Sequence, residues 1–391
     1  MPLRPAQAEA PGSLMLLGEH AVVRGRPACV CAIDRRLRAT LRPAPGAALR
    51  VRSALGVFSA PLASLPAPAD APKHVRFLLA AVRVRLPHLP PGAGFDLEIE
   101  TPMSSVMGLG TSAAVTLATL AVLDAALPGA PPPDPTRLAA QARALVLAVQ
   151  GGRGSGADVY ASAHGGLLLY RPLLPSIGKN SEILPNLGKT LKPDLPTLGK
   201  NGENLPNIGK NCSDAEAGPH AVEALQTKCL RHLPMLDKTA PDAEFRRIPA
   251  ADCPPLTLLY AGYKTPTPEV IARVEARFAD APARLAALDD LAGDLARRAF
   301  SAASASDWPL FATCMERNQR VMEDYGVADA RLRELLAALR ATPGILAAKI
   351  SGSGLGDCVL ALGTPSAPPA TDAPSLTLAL SPVGLTTRPL D

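Results

Sequence analysis

The chain has 391 residues, 47% of them hydrophobic, 3% aromatic and 19% charged, with a formal net charge of +5. That apolar content supplies a folded core and excludes an intrinsically disordered chain. The small positive charge is scattered without a basic run, and so few aromatic rings make a poor stacking platform, so both features weigh against a nucleic-acid partner.

The opening residues, MPLRPAQAEAPGS, lack a charged region followed by an apolar one, so no signal peptide is expected. The apolar stretch Ala113 to Leu127 carries Thr116, Thr119 and Asp124 and is shorter than the roughly 20 residues a membrane span needs. A cytoplasmic protein without a membrane association is the expectation. The seven cysteines form no C-x-x-C pair and read as reduced thiols.

In chain order, the first hundred residues read mostly as strand. An apolar strand lies between a Pro-Gly turn and the polar cluster Gly18, Glu19 and His20, Ala28 to Leu41 alternates around a run of Arg, and Phe95 to Glu100 alternates as FDLEIE. A helix is predicted at about Lys73 to Arg85. From Ser112 a helical period runs through Leu127, a proline cluster breaks it, a second helix spans about Asp134 to Gln150, and a strand follows at Gly166 to Arg171. The later half predicts a strand at Leu256 to Ala261 and helices near Pro268 to Phe278, Pro282 to Ala305, Trp308 to Tyr325 and Ala328 to Ala341. Strands at Ala347 to Ser351, Asp357 to Leu362 and Ser375 to Leu380 close it. Strand runs followed by helix runs predict the α+β class and not a doubly wound sheet.

Residues 177 to 211 differ from everything around them. They repeat IGKN, LPNLGKT, LPTLGKN and LPNIGKN, and hold five of the ten Lys and six of the seven Asn but none of the thirty Arg. Such Pro, Gly, Asn and Lys content buries too little apolar area to offset ordering entropy, so a disordered inserted loop is expected.

Chemistry points first to residues 102 to 123, PMSSVMGLGTSAAVTLATLAVL, where glycines and small residues lead straight into a helix. Glycine permits close approach, the first helical N–H groups have no internal partner, and the helix dipole adds positive potential, which together make a phosphate cradle. No Gly-Lys-Ser/Thr ending follows, so this is not a Walker A loop. Alone, the stretch reads equally well as a turn capped by Thr111 or Ser112.

Three further segments accompany it: APGSLMLLGEHAVVRGRPA (10 to 28), GGRGSGADVYASAHGGLLLY (151 to 170) and KISGSGLGDCVLAL (349 to 362). In this order the four resemble the motifs of the GHMP kinase superfamily, and GEHAVV is most like its mevalonate kinase branch. The resemblance covers most of the chain outside 172 to 250. It implies the GHMP kinase fold, two lobes with mixed and antiparallel sheets and packed helices. Residues 1-172 would be the ATP-binding lobe, 173-250 a linker with the repeat, and 251-391 the C-terminal lobe.

The resemblance also implies ATP-dependent phosphorylation of a small-molecule alcohol with Mg²⁺, mevalonate becoming 5-phosphomevalonate. The runner-up is phosphomevalonate kinase or another GHMP small-molecule kinase. A degenerate, non-catalytic nucleotide-binding protein and the decarboxylase branch stand further back. ATP would lie on Ser104, Ser105, Gly108, Leu109, Gly110, Thr111, Ser112 and Ala113, with Ser112 also a Mg²⁺ ligand. Asp158 would orient the acceptor hydroxyl and take its proton. Glu19, His20, Lys264 and Thr267 would contact substrate, although Lys264 reads equally as a solvated loop lysine and His20 as a brace for the Glu19 turn. The partner is a small molecule, and a homodimer stays open.

Two departures from the family stand out. Ser13 occupies the place where mevalonate kinases commonly have lysine, and Leu147 falls where a second metal carboxylate would stand, with Gln150 and Glu19 as possible substitutes.

Overall fold

Alternating segments pair as strands that expose one face, and the longer 3.6-period segments cover the other. The computed structural model describes residues 2–104, 107–152, 154–173, 242–249 and 252–390. The strands are β1 (Ala6–Leu17), β2 (Ala28–Ala44), β3 (Ala48–Ser53), β4 (Gly56–Pro61), β5 (Gly94–Glu100), β6 (Leu167–Pro172), β7 (Ala243–Ile248), β8 (Leu256–Lys264), β9 (Ile345–Ser351), β10 (Gly356–Gly363), β11 (Ser375–Leu378) and β12 (Thr386–Pro389). The helices are α1 (Arg76–Arg85), α2 (Thr111–Ala126), α3 (Pro135–Val149), α4 (Ala157–His164), α5 (Thr267–Arg277), α6 (Pro282–Ser304), α7 (Trp308–Tyr325) and α8 (Ala330–Arg340).

One sheet has the order β12-β1-β2-β5-β3-β4, with β6 on β2 and β7 on β6. Its pairs are antiparallel except β3 with β5. The 17-residue β2 changes partner along one edge: Ala28–Cys31 pair with β6, and Arg38–Ala44 pair with β5. The second sheet, β11-β8-β10-β9, is antiparallel throughout. These sheets and helices have the α+β character that the strand and helix runs predicted.

Helix α2 is buried nearly all round, which its Ala, Thr and Leu composition allows because small side chains let neighbours approach from several sides. Asp124 on α2 receives Arg85 from α1 and Arg137 from α3, and Arg85 also reaches Gln141 Oε1 at 2.7 Å. This buried network ties three helices behind the glycine-rich turn, so the start of α2 is held in place.

Several boundaries shift from the expectation. β2 extends to Ala44, and β11 ends at Leu378, beyond which Leu380 forms an isolated bridge to Ile33. The β3–β4 hairpin, β7 and β12 have strands of only four to six residues, too short for a pattern to single them out. The repeat at 177 to 211 and Ser105 lie outside the described residues. Among the described residues no helix is long and apolar enough to cross a membrane.

Candidate active site

Among the described residues, three helices begin on the wall of one cavity of about 430 Å³: α2 at Gly110 to Ser112, α4 at Gly156 to Asp158, and α5 at Thr267 and Pro268. Helix starts carry unpaired N–H groups and partial positive charge, so three of them on one wall favour an anion. Strand β1 contributes Ser13 and Met15, the end of β9 and the turn after it contribute Ser351 to Ser353, and the start of β10 contributes Asp357.

The glycine-rich turn meets β1 where the ladder is irregular between Pro11 and Ser13. Ser13 N donates to Leu109 O at 3.0 Å, anchoring the turn to the strand. Gly110 has φ +70, and a Cβ there would overlap Ser13 Oγ and lie 3.0 Å from Ser13 N. Glycine is needed at this position on both counts. No side chain caps α2, which settles the open choice about Thr111 and Ser112: neither serves as a cap. Ser13 Oγ is buried with no hydrogen-bond partner among the described residues.

Asp158 stands in the first turn of α4, whose start is set by Gly156 at φ +78, and its side chain is half-buried on the cavity wall. Loss of solvation raises its pKa above the ordinary carboxylate value, opposed only by backbone N–H groups of its own turn. A carboxylate so placed holds a proton more readily than an exposed one.

His20, also on the cavity wall, adopts φ +59, and its Nε2 lies 2.8 Å from Ser353 O. A carbonyl only accepts, so Nε2 carries the proton and buried Nδ1 is left as an acceptor without a partner among the described residues. Burial pushes the pKa of this imidazole down to about 4, so it is neutral at pH 7. Behind it Tyr325 packs 5.2 Å from the ring and donates to Asp289 Oδ1 at 2.6 Å, and Arg24 donates to the same carboxylate. Glu19 also lines the cavity, but Lys349 takes Oε1 and Asn318 Nδ2 donates to Oε2 at 3.1 Å.

At the rim, Lys264 Nζ lies 2.8 Å from Asp357 Oδ2. Lys264 is the one cationic side chain among the described residues of the wall. The structure thus brings Glu19, His20, Gly108 to Ser112, Asp158, Lys264 and Thr267 onto one cavity. Ser104 is not on its wall, and Ala113 is fully buried behind it. Sequence reasoning missed Asp357, Lys349 and Asn318. Only Asp357 left a trace, as a charged residue closing the triplet Gly352, Gly354 and Gly356.

Residues 75–166 match the family described as GHMP kinases N terminal domain, and 299–374 match GHMP kinases C terminal. Over these two stretches the chain is similar to the GHMP kinases. The curated relatives it matches carry the name mevalonate kinase: that of Archaeoglobus fulgidus is 37% identical over 163 residues, 42% of this chain and 52% of the relative. That of Aeropyrum pernix is 35% identical over 173 residues, 43% of this chain and 51% of the relative. The chain thus spans about half the length of these curated relatives. Among solved structures, the Lin0012 protein from Listeria innocua superposes with TM-score 0.69 at 18% identity, covering 98% of this chain and 99% of the other. The L. major mevalonate kinase in complex with R-mevalonate gives 0.61 at 20% identity, covering 92% and 87%. The Streptococcus pneumoniae phosphomevalonate kinase in complex with phosphomevalonate and AMPPNP gives 0.62 at 16% identity, covering 91% and 92%. These likenesses establish the fold.

Proposed function

We propose that this chain transfers the γ-phosphoryl group of ATP to the hydroxyl of mevalonate, giving ADP and 5-phosphomevalonate. The observation that carries this is the sharing of one cavity by the uncapped start of α2 and the carboxylate of Asp158. The triphosphate rests on the N–H groups of Gly108 to Ser112. The acceptor oxygen attacks the γ-phosphorus as the bond to the bridging oxygen breaks, and its proton passes to Asp158. The raised pKa of Asp158 suits that transfer. His20 Nδ1 accepts from a substrate hydroxyl, and Thr267 and Lys264 hold the substrate from the rim. The lobes 1-172 and 251-391 are taken as the two halves of a cytoplasmic enzyme, in keeping with the free thiols among the described cysteines.

Mg²⁺ fits the chemistry of this wall. The start of α2 has no side-chain cap, Ser112 stands in its first turn, and hydroxyl and phosphate oxygens are the hard donors this ion takes. When bound it neutralises phosphate charge. Among the described residues no group of three or more His, Cys, Asp or Glu could hold a metal ion.

Phosphomevalonate is the second reading. A substrate phosphate needs a basic pocket from Arg24, Arg153 and Lys264; Arg24 is committed to Asp289, Lys264 is paired with Asp357, and Arg153 lies outside the described residues. ADP release from MgATP by the purified chain, with mevalonate and 5-phosphomevalonate supplied separately, decides between them. Stimulation by mevalonate alone is expected. Stimulation by the phosphorylated compound alone moves the assignment to the second reading, and ATP binding without turnover identifies a non-catalytic nucleotide-binding protein.

A further inference from the structure

Asp357 is a carboxylate in a place built for glycine. It follows Gly352, Gly354 and Gly356 in the β9–β10 turn and adopts φ +69, a conformation that residues with a side chain take up at a cost. It is 7% exposed and lies on the cavity wall. A Cβ added at Gly108, on the phosphate-binding turn, would come within 2.7 Å of Asp357 Oδ2 and 2.8 Å of Oδ1. Lys264 occupies Oδ2, while Oδ1 is buried with no hydrogen-bond partner among the described residues.

A buried carboxylate pressed against a turn that binds phosphate would repel the ligand of that turn unless a cation stood between them. Lys264 balances one charge at one oxygen. The second oxygen remains bare, beside the same glycine whose N–H serves the phosphates. Oxygen donors of this kind suit Mg²⁺ or Mn²⁺, which typically keep one or two carboxylates together with substrate phosphates.

We infer that Asp357 is a ligand of the divalent cation that accompanies the nucleotide, binding it through Oδ1 while Lys264 holds Oδ2. It thereby supplies from the β9–β10 turn the carboxylate that α3, with Leu147, does not provide. The inference rests on the proposed nucleotide site.

The test is equilibrium binding of the non-hydrolysable analogue β,γ-imido-ATP to the full chain, once with Mn²⁺ and once with EDTA. It compares wild type, Asp357→Asn and Asp357→Gly, with the Mn²⁺ electron paramagnetic resonance spectrum of each metal complex recorded alongside. Asn and Gly both tolerate positive φ, so the turn should survive in either variant. In wild type Mn²⁺ strengthens binding. In both variants that advantage shrinks by about tenfold or more, because the metal complex loosens while the metal-free analogue, no longer repelled, tightens; the Mn²⁺ spectrum also changes. A strut without metal contact would weaken both arms by the same factor and leave the spectrum unaltered, and that result, or no change at all, overturns the inference but not the kinase assignment. If wild type binds the analogue in neither arm, both fall.

Discussion

Lys349 and Glu19 form an ion pair whose side chains are 0% and 3% exposed, joining β9 to the turn that follows β1. Asn318 of α7 completes it, with Nδ2 on Glu19 Oε2 and Oδ1 accepting from Gly18 N. The polar cluster that begins GEHAVV is thus braced from the C-terminal part of the chain, and His20 inherits its position.

Removing one partner of such a pair leaves the other charged and buried. Lys349→Met is expected to lower unfolding free energy by about 3–5 kcal/mol. Adding Glu19→Gln should recover part of that loss. Urea denaturation of the two single variants and the double variant measures the coupling; a loss under about 1 kcal/mol for Lys349→Met would mean the pair does not hold the turn.

Asp158→Asn separates function from stability. The folded carboxyl has a raised pKa, so between the ordinary carboxylate value and that raised value the folded state binds more protons than the unfolded one. Stability therefore falls as pH rises through this window, and at pH 7 the charged group is a burden. The amide removes it. Turnover should drop about 10²- to 10⁴-fold while the melting temperature rises. Turnover within a few-fold of wild type would remove Asp158 from the proton transfer.

Gly110→Ala and Gly129→Ala impose the same backbone strain at φ +70 and +73. Each should cost about 1 kcal/mol on that account. At Gly129 a Cβ meets nothing within 4 Å, whereas at Gly110 it overlaps Ser13 Oγ. ATP affinity by calorimetry should fall about tenfold or more for Gly110→Ala and stay unchanged for Gly129→Ala. Equal affinities would show that the turn does not carry the triphosphate.

His20 makes stability depend on acid. Its folded pKa of about 4 lies below the ordinary 6.5, so the unfolded chain binds the extra proton between those values. Stability is intact above pH 6.5 and is lost as pH falls towards 4, by up to about 3 kcal/mol. His164, also lowered to about 4 by burial, adds slope in the same direction. The difference between wild type and His20→Gln in denaturant midpoints across pH 4 to 7 isolates the contribution of His20. A pH-independent difference would place the ring in contact with water.

Local chemistry was legible because it depends on near neighbours in the chain. The glycines from 108 to 110 followed by a helical period marked the start of α2, as the alternation of FDLEIE marked β5. The segment around Asp158 was recognised by its wording, although its helix was not: α4 has eight residues, too few for a period to stand out. The sequence by itself determined the α+β class, the glycine-rich turn that leads into α2 and the candidate acid–base residue. Only the tertiary structure decided that Glu19 meets Lys349 at a separation of 330 residues, and that Lys264 pairs with Asp357 on the cavity wall. The Lys264–Asp357 pair follows from β10 lying beside β8, and the Glu19–Lys349 pair joins the turn after β1 of one sheet to β9 of the other; such neighbours are chosen by which buried faces fit together, a property no local pattern carries.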